Sequence, residues 1–294
     1  MREARLGRIG VALLLLAAPT AGQSPLDPER LGWTELELRA RKLGFGMRVS
    51  VSLAVTDGKS VVDEMTRPDG FAGLDPSGHR VVRLVMDRRG VGGPAESTLW
   101  IDAGDAGAYQ YRELQAGKRQ RYRLRRYAES AIWSQRRAPV PGEEALQAER
   151  WSDVAEEVLE LDGGARGDLA LTEPLGLFYV VAAAGLDQAG DALRFPAFSR
   201  GRRIEVEARV LGRVVEEVGY ERGDGGGRVK GARELIRIVI RALDTDGDAE
   251  GRLRFLGLRG DIELLLDPET RAPLQISGRV PRAGAVKVRV REMR

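Results

Sequence analysis

Apolar and polar positions alternate with a period of two over most of this chain. Leu36, Leu38 and Ala40 interleave with Glu37, Arg39 and Arg41, and Met47, Val49, Val51, Leu53 and Val55 form one face of the next run. Successive side chains of a strand point to opposite faces, so these are the marks of half-buried β-strands. Asp57-Gly58 is a turn signal. Further strands are predicted at 81–86, 98–102, 109–114, 119–127 and 131–136, with 109–114 and 119–127 forming a hairpin across 115–117. After a weaker stretch the pattern resumes at Ile204, with Val206, Ala208 and Val210 on one face and Glu205, Glu207 and Arg209 on the other. Residues 211–219 either continue that strand or turn back, 222–231 is a glycine-rich excursion, and strands follow at 235–243, 252–258, 261–266, 274–280 and 285–291. Short strands at such regular spacing imply an antiparallel sheet, curled or closed.

Two segments depart from the period. Residues 175–184 are apolar on nearly every side, as in a helix buried over most of its surface. Thr172 is its expected N-cap, Pro174 suits its first turn and Gly185 its end. Residues 143–161, with Trp151, Val154 and Val158, carry helical spacing, and a second, peripheral helix is expected there. The expected fold is therefore mainly β: an antiparallel, strongly curled sheet forming an open or partly closed barrel around one buried apolar helix. Residues 23–294 read as one β-domain, divisible into pseudo-halves 23–138 and 168–294 joined by a polar segment, 139–167.

The first 22 residues stand outside this pattern. Arg2, Arg5 and Arg8 precede an apolar run from Ile9 to Ala18, and Thr20 and Gly22 are small, which outlines a secretory signal peptide cleaved near Gly22. The run is too short to span a bilayer core of about 30 Å, and no second one follows, so no transmembrane segment is expected after cleavage. The expected location is the periplasm, or another exported, soluble setting. Arg2, Arg5 and Arg8 against Glu3 also account for two of the three net positive charges of the whole chain. What remains is nearly neutral with interspersed charges, which argues against a nucleic-acid partner. The absence of cysteine excludes a disulfide framework and a lipidated cysteine.

Few constellations carry chemistry. Asp244, Asp246 and Asp248 begin like a calcium loop, but Ala249 and Phe255 stand where an EF-hand needs glycine and glutamate, so a solvated hairpin turn is the better reading. His79 is the single histidine, without recognisably spaced partners, and Ser97, Ser130, Ser134 and Ser199 lie in no nucleophile-elbow pattern. Gly223 and Gly225 to Gly227 follow no phosphate-loop template. The expectation is a non-enzymatic protein with no metal and no cofactor. The densest basic run spans 118–127, where Arg119, Arg121, Arg123 and Arg125 share one strand face. That face suits an anionic surface met by guanidinium forks, although a solvated strand side guarded against edge pairing by its charge is the better reading.

The pattern from 175 to 212, with Asp191, Phe195-Pro196, Arg202-Arg203 and EVEARVLG, resembles a bacterial family of exported proteins of unknown function. LELRARKLGFGMRVSVSLAV near the start, the pair of strands at 251–266 and the ending DPETRAPLQISGRVPRAGAVKVRV carry the same likeness. That family is similar in fold to the periplasmic lipoprotein carriers of the Lol system, which implies an incompletely closed barrel whose concave face binds acyl chains. On this reading Trp100, Trp133, Leu177, Phe178, Val181, Phe195 and Phe198 are the candidate cavity lining, with ordinary core as their other explanation. The expected partner is a lipid or lipoprotein acyl chain. The alternative is an envelope-assembly scaffold that meets another envelope protein through strand edges and the arginine-rich face.

Overall fold

A computed structural model describes residues 26–42, 45–90, 93–117, 119–161, 169–223, 225–243, 253–281 and 283–294. The signal segment with its cleavage near Gly22, Lys118 and the Asp244–Asp248 run lie outside the described residues.

The chain forms one antiparallel sheet of fourteen strands. β1 (Glu35–Lys42), β2 (Phe45–Asp57), β3 (Arg80–Gly90), β4 (Ala95–Asp102), β5 (Ala108–Gln115), β6 (Arg121–Tyr127), β7 (Ala131–Ala138) and β8 (Asp153–Glu160) follow one another as a meander. The single α-helix among the described residues, α1 (Leu177–Ala183), comes next. Then come β9 (Ala192–Ser199), β10 (Arg202–Arg222), β11 (Gly227–Leu243), β12 (Arg259–Leu266), β13 (Pro273–Val280) and β14 (Gly284–Met293). β1 pairs with β14 and joins the two runs. The 21-residue β10 then returns to β14 through Glu221 opposite Glu292 and Arg222 opposite Met293, closing β10 to β14 into a ring. A register shift between Val210 and Gly212, where Gly212 has φ +132°, marks a bulge in that strand. Bulges bend a strand and increase its twist, and this one lies in the strand whose far end reaches β14. β8 and β9 are the two ends of the sheet.

The period-two pattern becomes an inside and an outside. Leu36, Leu38, Val49, Val51, Leu84, Leu99, Ile238, Ile240, Leu264 and Val288 belong to one buried cluster that also contains all of α1 except Ala182. Neighbours of opposite parity face outward into two smaller clusters. Val61, Met65, Val81, Trp100 and Tyr109 pack beneath the 3-10 helix Gly58–Glu64. Tyr122, Leu124, Trp133, Ala148 and Trp151 form the other.

Every side chain of α1 is buried, at about 2 kcal/mol for each large one. Burying a helix end is costly, because its last four carbonyls have no partner within the helix. Here each has a donor from elsewhere. Arg271, 2 % exposed, donates from Nε to Ala182 O at 3.0 Å and from Nη2 to Val181 O and Ala184 O at 3.3 and 2.9 Å. The Asp27 N–H reaches Ala183 O, and Arg30 Nη1 donates to Ala184 O at 3.0 Å. Asp187 bridges the two guanidiniums at 2.7 Å each. Arg271 has φ +57° at the end of the 267–271 turn, whose first residue, Asp267, accepts from the N–H groups of Glu269 and Thr270.

Five sequence expectations change. The spacing in 143–161 yields a 3-10 turn at Ala148–Arg150 and then strand β8, because Val154 and Val158 pair opposite Arg137 and Trp133 of β7. The second short helix is instead the 3-10 segment Gly58–Glu64. Thr172 does not cap α1: its N–H and C=O bond to Pro196 and Phe198, and the 3-10 turn Pro174–Gly176 leads into the helix. Phe195-Pro196 lies within strand β9, tolerated because β9 is an end strand. Of 252–258, Phe255 to Leu258 forms a tight turn and not a strand, and the 222–231 excursion shrinks to the tip between β10 and β11.

Arg271→Met is expected to lower unfolding free energy by about 3 kcal/mol, since it leaves the buried carbonyls of Val181 and Ala182 without a donor and removes one of the two guanidiniums on Ala184 O and Asp187. Arg271→Lys, with one donor head and no planar fork, is expected to fall between the variant and wild type. Urea denaturation followed by far-ultraviolet circular dichroism measures both.

Candidate functional site

The concave face of β3 to β8 changes character along the strands. Register places side chains in rows, with same-face neighbours along a strand about 7 Å apart. The row Leu84, Leu99, Tyr111, Arg125, Ser134 and Glu157 begins apolar. The next outward is Met86, Ser97, Glu113, Arg123 and Arg136. The outermost is Arg88, Ala95, Gln115 and Arg121. These rows form one wall of a cleft of about 710 Å³. The facing wall is Phe198 to Gly201 at the β9–β10 turn together with Arg254 to Gly257, and Glu173, Pro174 and Leu175 close the floor. Seven arginines against three glutamates line it among the described residues.

Both tight turns on the facing wall have two consecutive residues at positive φ: Arg200 and Gly201 at +57° and +84°, Leu256 and Gly257 at +54° and +81°. That is the geometry of two-residue hairpin turns, which favour Asn-Gly at these positions. At one of them leucine occupies the place, with its side chain 8 % exposed and against the cleft. Phe255, beside it, stacks tilted on Phe178 of α1 with ring centroids 4.9 Å apart, which ties this wall to the core.

The floor is held by a buried ion pair. Glu173, 3 % exposed, accepts hydrogen bonds from Arg125 Nη1 and the Tyr127 hydroxyl. The Arg125 guanidinium also lies over the rings of Phe198 and Tyr111, at 5.0 and 5.4 Å. Burial disfavours the Arg125 charge, but Glu173 outweighs it and holds the guanidinium above its ordinary range. Burial pushes the Glu173 carboxyl up, against the pull of Arg125 and Tyr127. Arg123 is pushed down by burial and by its neighbours Arg121 and Arg125, and Glu113 at 3.5 Å only partly offsets this. Arg88, Arg136 and Arg254 form no ion pair among the described residues. The cleft thus carries crowded, incompletely neutralised positive charge above an apolar base, an arrangement suited to binding anions.

The expected site residues separate. Arg121, Arg123 and Arg125 line the cleft together, while Arg119 is exposed before β6 begins. Phe198 lines it as well. Leu177, Phe178, Val181 and Phe195 belong to the central cluster, and Trp100 and Trp133 lie in the two outer clusters on the opposite face of the sheet. Arg88, Arg136, Glu113 and Glu173 were missed. Parity would have found the first two, since Arg88 shares a face with Leu84 and Met86, and Arg136 with Ile132. Glu173 sits in no periodic segment and gave no signal. His79 does have a partner, Asp102 at 2.8 Å from Nδ1, and Asp102 also accepts from the Tyr109 hydroxyl; none of the three lines the cleft.

No protein family, curated protein or solved structure matches the chain.

Arg125→Met alone is expected to cost about 3 kcal/mol, because it leaves a buried carboxylate unpaired. Adding Glu173→Leu should restore most of that loss. A double-mutant cycle by urea denaturation checks both values.

Proposed function

We propose that this chain is an exported, non-enzymatic binding domain whose cleft takes an anionic amphiphile, such as an acyl chain carrying a phosphate or carboxylate head. The observation that supports this reading is the polarity of the cleft: Arg88, Arg136 and Arg254, which form no ion pair among the described residues, line it together with the buried Phe198, Leu175, Phe255 and Leu256. A head group would meet Arg88, Arg136 and Arg254, where guanidinium forks match phosphate and carboxylate oxygens. The first carbons of the chain would lie on the apolar base. Because α1 occupies the centre of the curl, a long chain would leave part of its length at the mouth. This departs from a carrier that swallows an acyl chain whole, and it keeps the lipid-facing role that the resemblance implies.

The alternative of an envelope scaffold draws on β8. This end strand is exposed along nearly all its length, with Val154 and Val158 at 40 % and 53 %, and an unpaired edge can accept an added strand.

Calorimetric titration with dodecyl phosphate below its micelle concentration, beside dodecyl maltoside as the neutral control, tests the cleft reading. Dodecyl phosphate should bind at least about tenfold more tightly, and Arg88→Ala with Arg136→Ala should weaken it by about tenfold or more. Added salt should weaken it further. Equal binding of the two detergents, or no loss in the arginine variant, would exclude the cleft as an anion site.

A further inference from the structure

On the outer face of the sheet, Arg126 is an arginine without a counter-ion among the described residues. It pairs opposite Gln110 of β5 and Trp133 of β7 and is 5 % exposed. Its Nη1 donates to Tyr109 O and lies 3.6 Å from Met65 Sδ, and its Nη2 donates to Leu74 O at 3.0 Å. Its Nε is buried with no partner. No carboxylate is within ion-pair distance among the described residues. Asp75 is the acid whose charge acts on it, and that carboxylate is already engaged by the N–H and hydroxyl of Ser77 at 2.9 and 2.8 Å. Burial pushes the guanidinium down to about 10. Keeping an arginine charged in such a place costs several kcal/mol unless its charge and hydrogen-bonding capacity are met, and two carbonyls meet only part of that capacity.

The same side chain lines a pocket of about 350 Å³ whose other walls include Val62, Met65, Phe71, Leu74 and Pro76. This volume is at the lower end of the range for small-molecule sites. The walls are fixed in advance. Gln110, 2 % exposed, donates to Glu64 O and accepts from Thr66 N–H, which pins the segment that overlies the arginine. Gly73 lies directly against the guanidinium, where a Cβ would stand 2.6 Å from Nη2.

We propose that this pocket is a second binding site, for a monocarboxylate carried on a short apolar body. With Nη1 engaged by Tyr109 O and Met65 Sδ and one N–H of Nη2 engaged by Leu74 O, one N–H of Nη2 and the unmatched positive charge are left for a carboxylate in the pocket. The nearby charge of Asp75 disfavours a dianion, which separates this site from the arginine-rich cleft. The carboxylate can come from a free short-chain acid or from the C-terminus of a peptide chain.

Calorimetric titration of the full chain with hexanoate, with hexanol as the uncharged control and N-acetyl-leucine as a C-terminus mimic, tests the assignment. Hexanoate or N-acetyl-leucine should bind at least about tenfold more tightly than hexanol, and the tighter of the two acids names the source. Arg126→Met should weaken the bound acid by about tenfold or more while cooperative unfolding is retained. Ala72→Trp, at an exposed lining position, should block the mouth to a similar extent with Arg126 intact and the cleft untouched. If Arg126→Met does not fold, the Ala72 variant decides alone. Binding of both acids no tighter than hexanol, or acid binding unchanged by Ala72→Trp, would overturn the proposal and leave the cleft reading unaffected.

Discussion

A helix that ends inside an apolar interior must have its final carbonyls satisfied from outside itself, and in this protein that constraint organises the centre of the fold. Arg271 enters from the turn between β12 and β13, and Arg30 and the Asp27 backbone enter from the segment before β1. Together they supply donors to all four terminal carbonyls of α1, with Asp187 balancing the two guanidiniums. The segment before β1 and the turn between β12 and β13 thereby close on one seven-residue helix. Without these donors the helix end would be more stable in water than in the core, and the sheet would curl around nothing.

A filled centre decides where a ligand can go. The interior, expected from the resemblance to hold an acyl chain, is occupied by Leu177, Phe178 and Val181. Open volume lies instead past the end of the helix, where the concave rows pass from Leu84, Leu99 and Tyr111 to Arg88, Arg123 and Arg136. The pair Arg125 and Glu173 sits at that boundary. It joins the strand that carries the arginine row to the segment leading into α1, so the positive cleft and the apolar plug form one mechanical unit. Arg126, the next residue of β6, points to the other face and meets a different pocket. A period of two thus assigns adjacent arginines to separate surfaces.

Most of the strand pattern was legible because alternation directly encodes which face is buried. The helix was legible because a run such as Leu177 to Ala183 has no face for water. Long-range pairing was not: nothing in the period of β10 announces that its far end reaches β14. Val154 and Val158 carry both helical and strand spacing, and only the neighbour β7 decides between them. The arginine face of β6 was visible, but sequence parity alone does not say that the face turns inward. Trp100 and Trp133 show the converse error, since size and hydrophobicity suggested an interior place while their parity with respect to Leu99 and Ile132 put them outside. Arg271 had no signature at all, because its role depends on a contact with residues about 90 positions away.

The most direct test of this account is native-state hydrogen exchange of the α1 amides. If the helix is a fixed plug held by Arg271, the amides of Val181 to Ala184 should exchange only with global unfolding, as slowly as those of central β2 and β11. Exchange of α1 through a low-energy local opening, while the sheet stays protected, would mean that the plug leaves its place and that the interior is itself a binding cavity.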